Sequence, residues 1–312
     1  MSLSDFIHLR NYTQYSLSLG ALRINDLTKF CLENKCPAIG ISDKGNLFGS
    51  MEFSLECLSK GIQPIISCDL LIDDSQYKAG NLMLTISSEA GYRSLSKLVS
   101  ISYLENNTLN KPFLKLENIL KFNEGLICFS GGAEGLIKSN FLNFGKDKAL
   151  ELINIFKKIY KDRFFFEIQR EKKLQLDNYL SFLINISYEN KIPLVATNEN
   201  FFINQDFHES HDALICISQQ TYVDSEKRKK VSDQCFLKSP DEMIKLFDDI
   251  PSAISNSISI AKKCSFILNE KKPSLPRISS KENEDKLLRK SSIDGLEKKI
   301  NFFSFSSEEK KI

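Results

Sequence analysis

The chain has 312 residues, 42% hydrophobic and 26% charged, long enough for one large α/β domain or two smaller ones. Its formal net charge of +2 excludes a general polyelectrolyte-binding surface, so any nucleic-acid contact requires a local basic patch. The first residues carry no basic and apolar leader, and no apolar run approaches the roughly 20 residues that span a bilayer.

Seven short apolar runs read as buried strands: FIHLR (6–10), AIGIS (38–42), PIISCDLLI (64–72), LMLTIS (82–87), LICFS (126–130), FFFEIQ (164–169) and PLVAT (193–197). Most are β-branched or aromatic and bounded by Gly, Pro, Asn or Asp. Helical patterns lie between them. In NLFGSMEFSLECLSKG, Leu47, Met51, Leu55 and Leu58 share a face and Gly61 sits at the stop position. Tyr92, Leu95, Leu98 and Val99 repeat that spacing, as do KALELINIFKKIY (148–160) and LDNYLSFLINISYEN (176–190).

Strand alternating with helix predicts a mainly parallel sheet, doubly wound or closed as a barrel. No G-x-G-x-x-G or G-x-x-x-x-G-K-[ST] follows the first run, which weakens a nucleotide-binding open sheet. Polar residues gather just after several runs: Arg10, Ser42-Asp43-Lys44, Cys68-Asp69, Gln169-Arg170-Glu171 and Asn198-Glu199-Asn200. A barrel with a site at its C-terminal rim produces that distribution; turn and N-cap residues account for it equally.

After residue 205 the strand rhythm stops. SPDEMIKLF opens with Ser239, Pro240 and Glu242, a capping box with proline at N1, and PSAISNSISIAKKC follows as a second helix. The expected layout is a barrel domain with appended helices over 1–268, a linker over 269–285, and the start of a further domain over 286–312. That last segment begins an amphipathic helix with Leu288, Leu296 and Ile300 at multiples of four, and the chain is expected to stop partway into the domain.

The eight cysteines contain no C-x-x-C pair, and several fall in apolar runs, so they read as reduced core thiols of a cytoplasmic protein. Only three histidines occur, His8, His208 and His211. No Ser-His-Asp arrangement can be assembled from them. His8 reads as a structural hydrogen-bonding residue, and His208 and His211, at i, i+3, as helix-start and packing residues. FSGG (129–132) reads as a tight strand-to-helix turn. The basic run EKRKK (226–230) reads as a solvated loop, with contact to a partner or a DNA backbone as the minority option.

The motifs FIHLRNYTQYS, PAIGISDKGNLFGSMEF, KGIQPIISCDL, SSEAGYRSLSKLVS, NEGLICFSGG, IPLVATNENFFI, SHDALICI and IPSAISNSISIAKKC occur in one order. In order and spacing they resemble the PHP (polymerase and histidinol phosphatase) domain at the N-terminus of bacterial DNA polymerase III alpha subunits, over about residues 4–270. The resemblance implies a distorted seven-stranded (β/α)7 barrel followed by helices that lead toward a polymerase palm not contained in this chain. It also implies a rim where active members hold metals through His, Asp and Glu. Carried over position by position, those ligand seats fall on Arg10, Tyr12, Leu19, Asp43, Lys44, Asp69, Asn81, Glu171, Glu199 and Phe201.

Multi-metal sites need neutral imidazole or carboxylate donors. Arg10 and Lys44 bring permanent positive charge, and Leu19 and Phe201 bring no donor. The expectation is therefore a salt-bridged, catalytically silent rim with no catalytic residue, metal or cofactor. What the resemblance further implies is a scaffold within a DNA-directed DNA polymerase whose palm uses Mg2+. Its partners would be a proofreading exonuclease subunit, other replicase subunits and primer-template DNA. The alternative reading is a metal-dependent PHP phosphoesterase or 3′-5′ exonuclease.

Overall fold

The structure is a computed structural model that describes residues 3–105, 107–108 (backbone only), 111–172, 177–270, 272–273, 278 and 283–303. Its strands are β1 (Ala38–Lys44), β2 (Gln63–Asp74), β3 (Tyr77–Ile86), β4 (Asn107–Thr108), β5 (Lys111–Pro112), β6 (Leu126–Phe129), β7 (Phe164–Ile168) and β8 (Leu194–Ala196). Helices α1 (Ile24–Glu33), α2 (Ser50–Ser59), α3 (Glu89–Leu104), α4 (Leu116–Lys121), α5 (Leu136–Phe144), α6 (Lys146–Tyr160) and α7 (Asn178–Asn190) lie between or beside them. Then follow α8 (His208–Gln219), α9 (Pro240–Leu246), α10 (Pro251–Lys263) and α11 (Glu284–Phe303).

Six strands form one curled sheet in the order β1-β2-β3-β6-β7-β8, and β4 and β5 pair separately. Period-two alternation sorts their side chains onto two faces. On β2, Ile66, Cys68, Leu70 and Ile72 join the core cluster that includes residues of the flanking helices, and Leu82, Leu84 and Ile86 do so from β3. Their alternates Ile65 and Met83 join Ile127, Phe129, Phe165 and Val195 in a second, inner cluster, closed by Ile260, Ala261 and Cys264 at α10 and its end. The curl of the sheet thus encloses an apolar plug. Continuing the same alternation along β2 and β7 brings Asp69 and Glu167 onto the inner face, one layer beyond the plug.

Two expectations change. The sheet is mixed: β1–β2, β6–β7 and β7–β8 are parallel, but β3 is antiparallel to both β2 and β6. Only Ser75 and Gln76 separate β2 from β3, which is a hairpin connection and leaves no chain for a crossover helix. The FIHLR run is also not a regular strand. Its backbone bonds to both edges of the sheet, Gly40 N to His8 O at 2.7 Å beside β1, and Tyr12 N to Asn200 O at 2.9 Å just past β8.

Side chains complete what a ladder would otherwise supply. Ile7 N donates to Ser257 Oγ at 3.0 Å, and Asn11 Nδ2 donates to Gly40 O at 2.6 Å. Ile7 and Leu9 join the inner cluster, so this segment fills the seam of the curl as a seventh stave. Gly40 is required there, since a Cβ would lie 2.8 Å from Leu9 O.

Helix-end signals hold, but the expected face of α2 does not: Leu55 and Leu58 are exposed, and Phe53 and Cys57 are buried instead. Gly61 follows α2 with φ +69°, and Ser239 and Glu242 form a reciprocal capping box at α9, with Pro240 in its first turn. The chain divides into two compact units, Met1–Asn269 and Glu270–Ile312. The second unit contains α11, which has no buried residue; Leu288 and Leu296 are exposed. The closing residues 304–312 and most of the expected linker lie outside the described residues.

Candidate functional site

At the inner face beyond the plug, Arg10 is the centre of a buried network. Its Nε donates to Glu167 Oε1 at 2.5 Å and its Nη2 to Glu167 Oε2 at 2.7 Å. Nη1 donates to Tyr12 Oη at 2.5 Å and lies 3.3 Å from Asp69 Oδ2, to which the Tyr12 hydroxyl also donates at 3.0 Å. Thr197 Oγ1 adds a bond to Glu167 Oε1 at 2.6 Å. Burial alone would lower the Arg10 pKa, but Glu167, Tyr12 and Asp69 raise it above its usual range. Burial raises the Tyr12 phenol as well, against the pull of Arg10.

Asp43 serves the adjoining turn. It accepts from Thr13 N at 2.8 Å, Thr13 Oγ1 at 2.8 Å and Ser16 Oγ at 2.6 Å, which occupies both its oxygens. Lys44 reaches the other way, to Glu134 Oε2 at 2.9 Å, and Lys229 pairs with the second oxygen of the same carboxylate. Burial would raise Glu134, but Lys44 and Lys229 hold it at about 2. Asn81 hydrogen-bonds the same residue, its N donating to Glu134 O at 2.8 Å. Phe201 stacks on Tyr12 with ring centroids 4.6 Å apart and planes 11° from parallel. Leu19 packs in the same cluster and its carbonyl accepts from His211 Nε2 at 2.7 Å.

The structure therefore brings together Arg10, Tyr12, Asp69 and Phe201, joins Lys44 with Asn81 through Glu134, and turns Asp43 toward the Thr13–Ser16 turn. Glu171 lies exposed and lines a cavity together with Glu167 and Glu199. The carboxylates that pair with Arg10 and Lys44 include Glu167 and Glu134, which sequence reasoning missed. Alternation from the apolar Phe164, Phe166 and Ile168 would have identified Glu167 as inward-facing; Glu134 lies in a loop with no such signal. Arg170, expected at the rim, pairs instead with Asp249 through both terminal nitrogens at 2.6 and 3.0 Å.

Glu199 is partly buried and lines a cavity of about 180 Å³ with Glu167, Gln169, Arg170 and Tyr179. Burial raises its pKa to about 7, with Arg10 and Lys44 opposing and Asp69 and Glu167 adding. His8 is buried and donates through Nε2 to Lys238 O at 2.7 Å, so its Nδ1 is the acceptor toward Asn200 Nδ2 at 3.1 Å. That fixes one neutral tautomer.

These residues do not fit a metal cluster. A guanidinium sits where donors would have to converge, both Glu167 oxygens face it, and Lys44 adds a second fixed cation. Among the described residues no group of three or more His, Cys, Asp or Glu is arranged to hold an ion.

A family model for the PHP domain matches residues 8–171, more than half of the chain. The chain belongs to the PHP domain family. Its relatives include "DNA polymerase III subunit alpha" of Caulobacter vibrioides, 34% identical over 313 residues, with 97% of this chain and 27% of that protein covered. The protein of the same name from Rickettsia felis is 37% identical over 297 residues, covering 94% of this chain and 24% of its own length. The chain thus spans about a quarter of the length of these relatives. A solved structure from Bacteroides vulgatus, a two-domain protein containing a predicted PHP-like metal-dependent phosphoesterase, aligns over 82% of this chain and 65% of its own with a TM-score of 0.40 and 9% identity. Within the PHP frame, no helix among the described residues is long and apolar enough to cross a membrane.

Proposed function

We propose that this chain is the PHP portion of a DNA polymerase III alpha subunit and acts as a catalytically silent scaffold. In that setting the polymerase reaction belongs to a palm outside this chain, with Mg2+ bound there. The PHP barrel braces the polymerase core in the cytoplasm and contacts a proofreading exonuclease subunit, other replicase subunits and, through the whole protein, primer-template DNA. The observation that supports a silent rim is the two-point ion pair of Arg10 with Glu167, extended to Tyr12 and Asp69. A permanent cation bound by the rim's own carboxylates cross-links the same strand ends that metals would, without supplying a Lewis acid or an activated water.

The chemistry of this chain's residues follows from that. Arg10 pairs with both Asp69 and Glu167, Thr197 adds a bond to Glu167 and Tyr12 one to Asp69 Oδ2, and Phe201 covers the Tyr12 face.

The test is elemental analysis of the purified protein together with a primer 3′-end hydrolysis assay across added Mg2+, Mn2+ and Zn2+. The expected result is metal well below one equivalent and no nucleotide release with any ion. Stoichiometric metal with Mn2+- or Zn2+-dependent hydrolysis overturns the scaffold reading in favour of a PHP phosphoesterase.

A further inference from the structure

Beside the ion-paired rim lies a larger concavity of about 660 Å³, within the range of roughly 300–1,000 Å³ seen for ligand pockets. Its wall includes Lys44, Lys111, Phe48, Tyr103, Asp69 and Glu134. Phe48 and Tyr103 are 63% and 41% exposed and place aromatic surface at the edge of this cavity. Glu134 is bound by both Lys44 and Lys229, so two cations share one carboxylate. Asp69 is turned inward to Tyr12 and Arg10. The balance of charge at this mouth is positive.

Lys229 belongs to the loop 221–230, which the polymer backbone does not leave free. Arg228 donates to both oxygens of Asp212 at 2.6 Å each and through Nε to Val223 O at 3.1 Å. Gln219 bonds Lys229 O and N, each at 3.0 Å. The loop is therefore a held shape, and that shape displays Tyr222 at 84% exposure and Lys227 and Lys230 on the surface. Among the described residues, Lys111, Lys227 and Lys230 have no ion-pair partner within reach. Asp224 and Glu226 on the same loop offset two of the four consecutive basic residues 227–230, so the loop itself carries a net charge of +2.

Exposed aromatic faces interleaved with lysines along a groove are the features that bind single-stranded nucleic acid: bases stack on rings and the backbone follows the cations. We propose that the concavity beside Lys44 and Lys111, together with the loop bearing Tyr222, Lys227 and Lys230, binds a single nucleic-acid strand without cutting it. This names a partner surface for the scaffold described above and rests on that reading for its setting. The two fail separately, because strand binding is read without hydrolysis and metal uptake is read without nucleic acid.

The experiment is fluorescence anisotropy of a short labelled oligothymidylate titrated with the whole chain at several salt concentrations. Saturable binding is expected, with log K falling linearly in log[salt] by about 0.7 per phosphate neutralised. Tyr222→Ala should weaken binding about tenfold, the scale of one lost base stack. Lys227→Glu with Lys230→Glu should weaken it further and flatten the salt dependence. The side chains of these three residues make no hydrogen bond among the described residues, so their variants should melt as the wild type does. Absence of saturable binding at low salt, as a surface built for a protein partner would give, overturns the proposal. Equal affinity of the Tyr222→Ala and charge-reversed variants, or equal binding of a duplex that Tyr222→Ala leaves untouched, overturns it too.

Discussion

Arg10 and Glu167, 157 positions apart in sequence, meet through two parallel hydrogen bonds of 2.5 and 2.7 Å, with side chains 1% and 0% exposed. The pair ties the seam of the curled sheet to β7 directly across its interior. Fork-to-fork geometry of this kind is directional as well as strong, and lysine cannot reproduce it.

Removing one member of a buried pair strands the other charge. Arg10→Met should therefore cost about 3–5 kcal/mol and lower Tm by on the order of 10 °C, read by urea and thermal unfolding. Adding Glu167→Gln to that variant should cost less than the two single changes summed, since the second no longer breaks an intact pair. Strict additivity would show that the two side chains are not coupled.

Protonation of His8 opposes folding. Burial lowers its pKa from 6.5 to about 4, with the bond to Lys238 O opposing. The unfolded chain binds this proton near pH 6.5 and the folded chain only near pH 4, so stability falls as pH drops through that window, by about 3 kcal/mol in full. Unfolding free energies measured across the window should show the slope, and His8→Gln should flatten it.

Glu199 has the opposite sign. Its folded pKa of about 7 lies above the ordinary 4.5, so the folded state holds the proton longer. Stability is fully present below pH 4.5 and declines as pH rises toward 7, by up to about 3 kcal/mol. Glu199→Gln, which cannot ionise, should be more stable than wild type at pH 8 and close to it at pH 4. A variant no more stable at pH 8 would show that the carboxylate is already compensated by Arg10 and Lys44.

Gly20 closes the turn that carries Leu19. A Cβ there would lie 2.2 Å from Thr13 O and 2.5 Å from Tyr12 O, and backbone atoms cannot move aside as a flexible side chain would. Gly20→Ala should destabilise by about 3 kcal/mol, with loss of the Tyr12–Phe201 stack. Chemical unfolding compared with the neighbouring Ala21→Gly variant separates this clash from simple loop sensitivity.

Much of the fold was legible in particular residues. The apolar runs at 38–42, 64–72, 126–130, 164–169 and 193–197 each contain an observed strand or most of one, and 82–87 contains the second half of β3, because β-branched and aromatic clusters between turn formers admit few other states. Ser239 and Glu242 announced α9 for a local reason, as capping needs only residues three apart. The hairpin between β2 and β3 was missed because alternation of strand and helix was extended across a gap too short for a helix. At the site, Arg10, Tyr12 and Asp69 could be named as neighbours from the resemblance, while Glu167 inside β7 was not named.

The sequence by itself determined which positions are apolar and where the chain turns, for which local chemistry and spacing suffice; that Arg10, Lys44, Leu19 and Phe201 fall on ligand seats is what the resemblance implies. Only the tertiary structure decided the partners: Glu167 for Arg10, Glu134 for Lys44 and Lys229, Asp249 for Arg170. Each pair joins segments distant in sequence. Which carboxylate meets which cation depends on the curl and register of the sheet, and a pattern of nearby residues does not encode those.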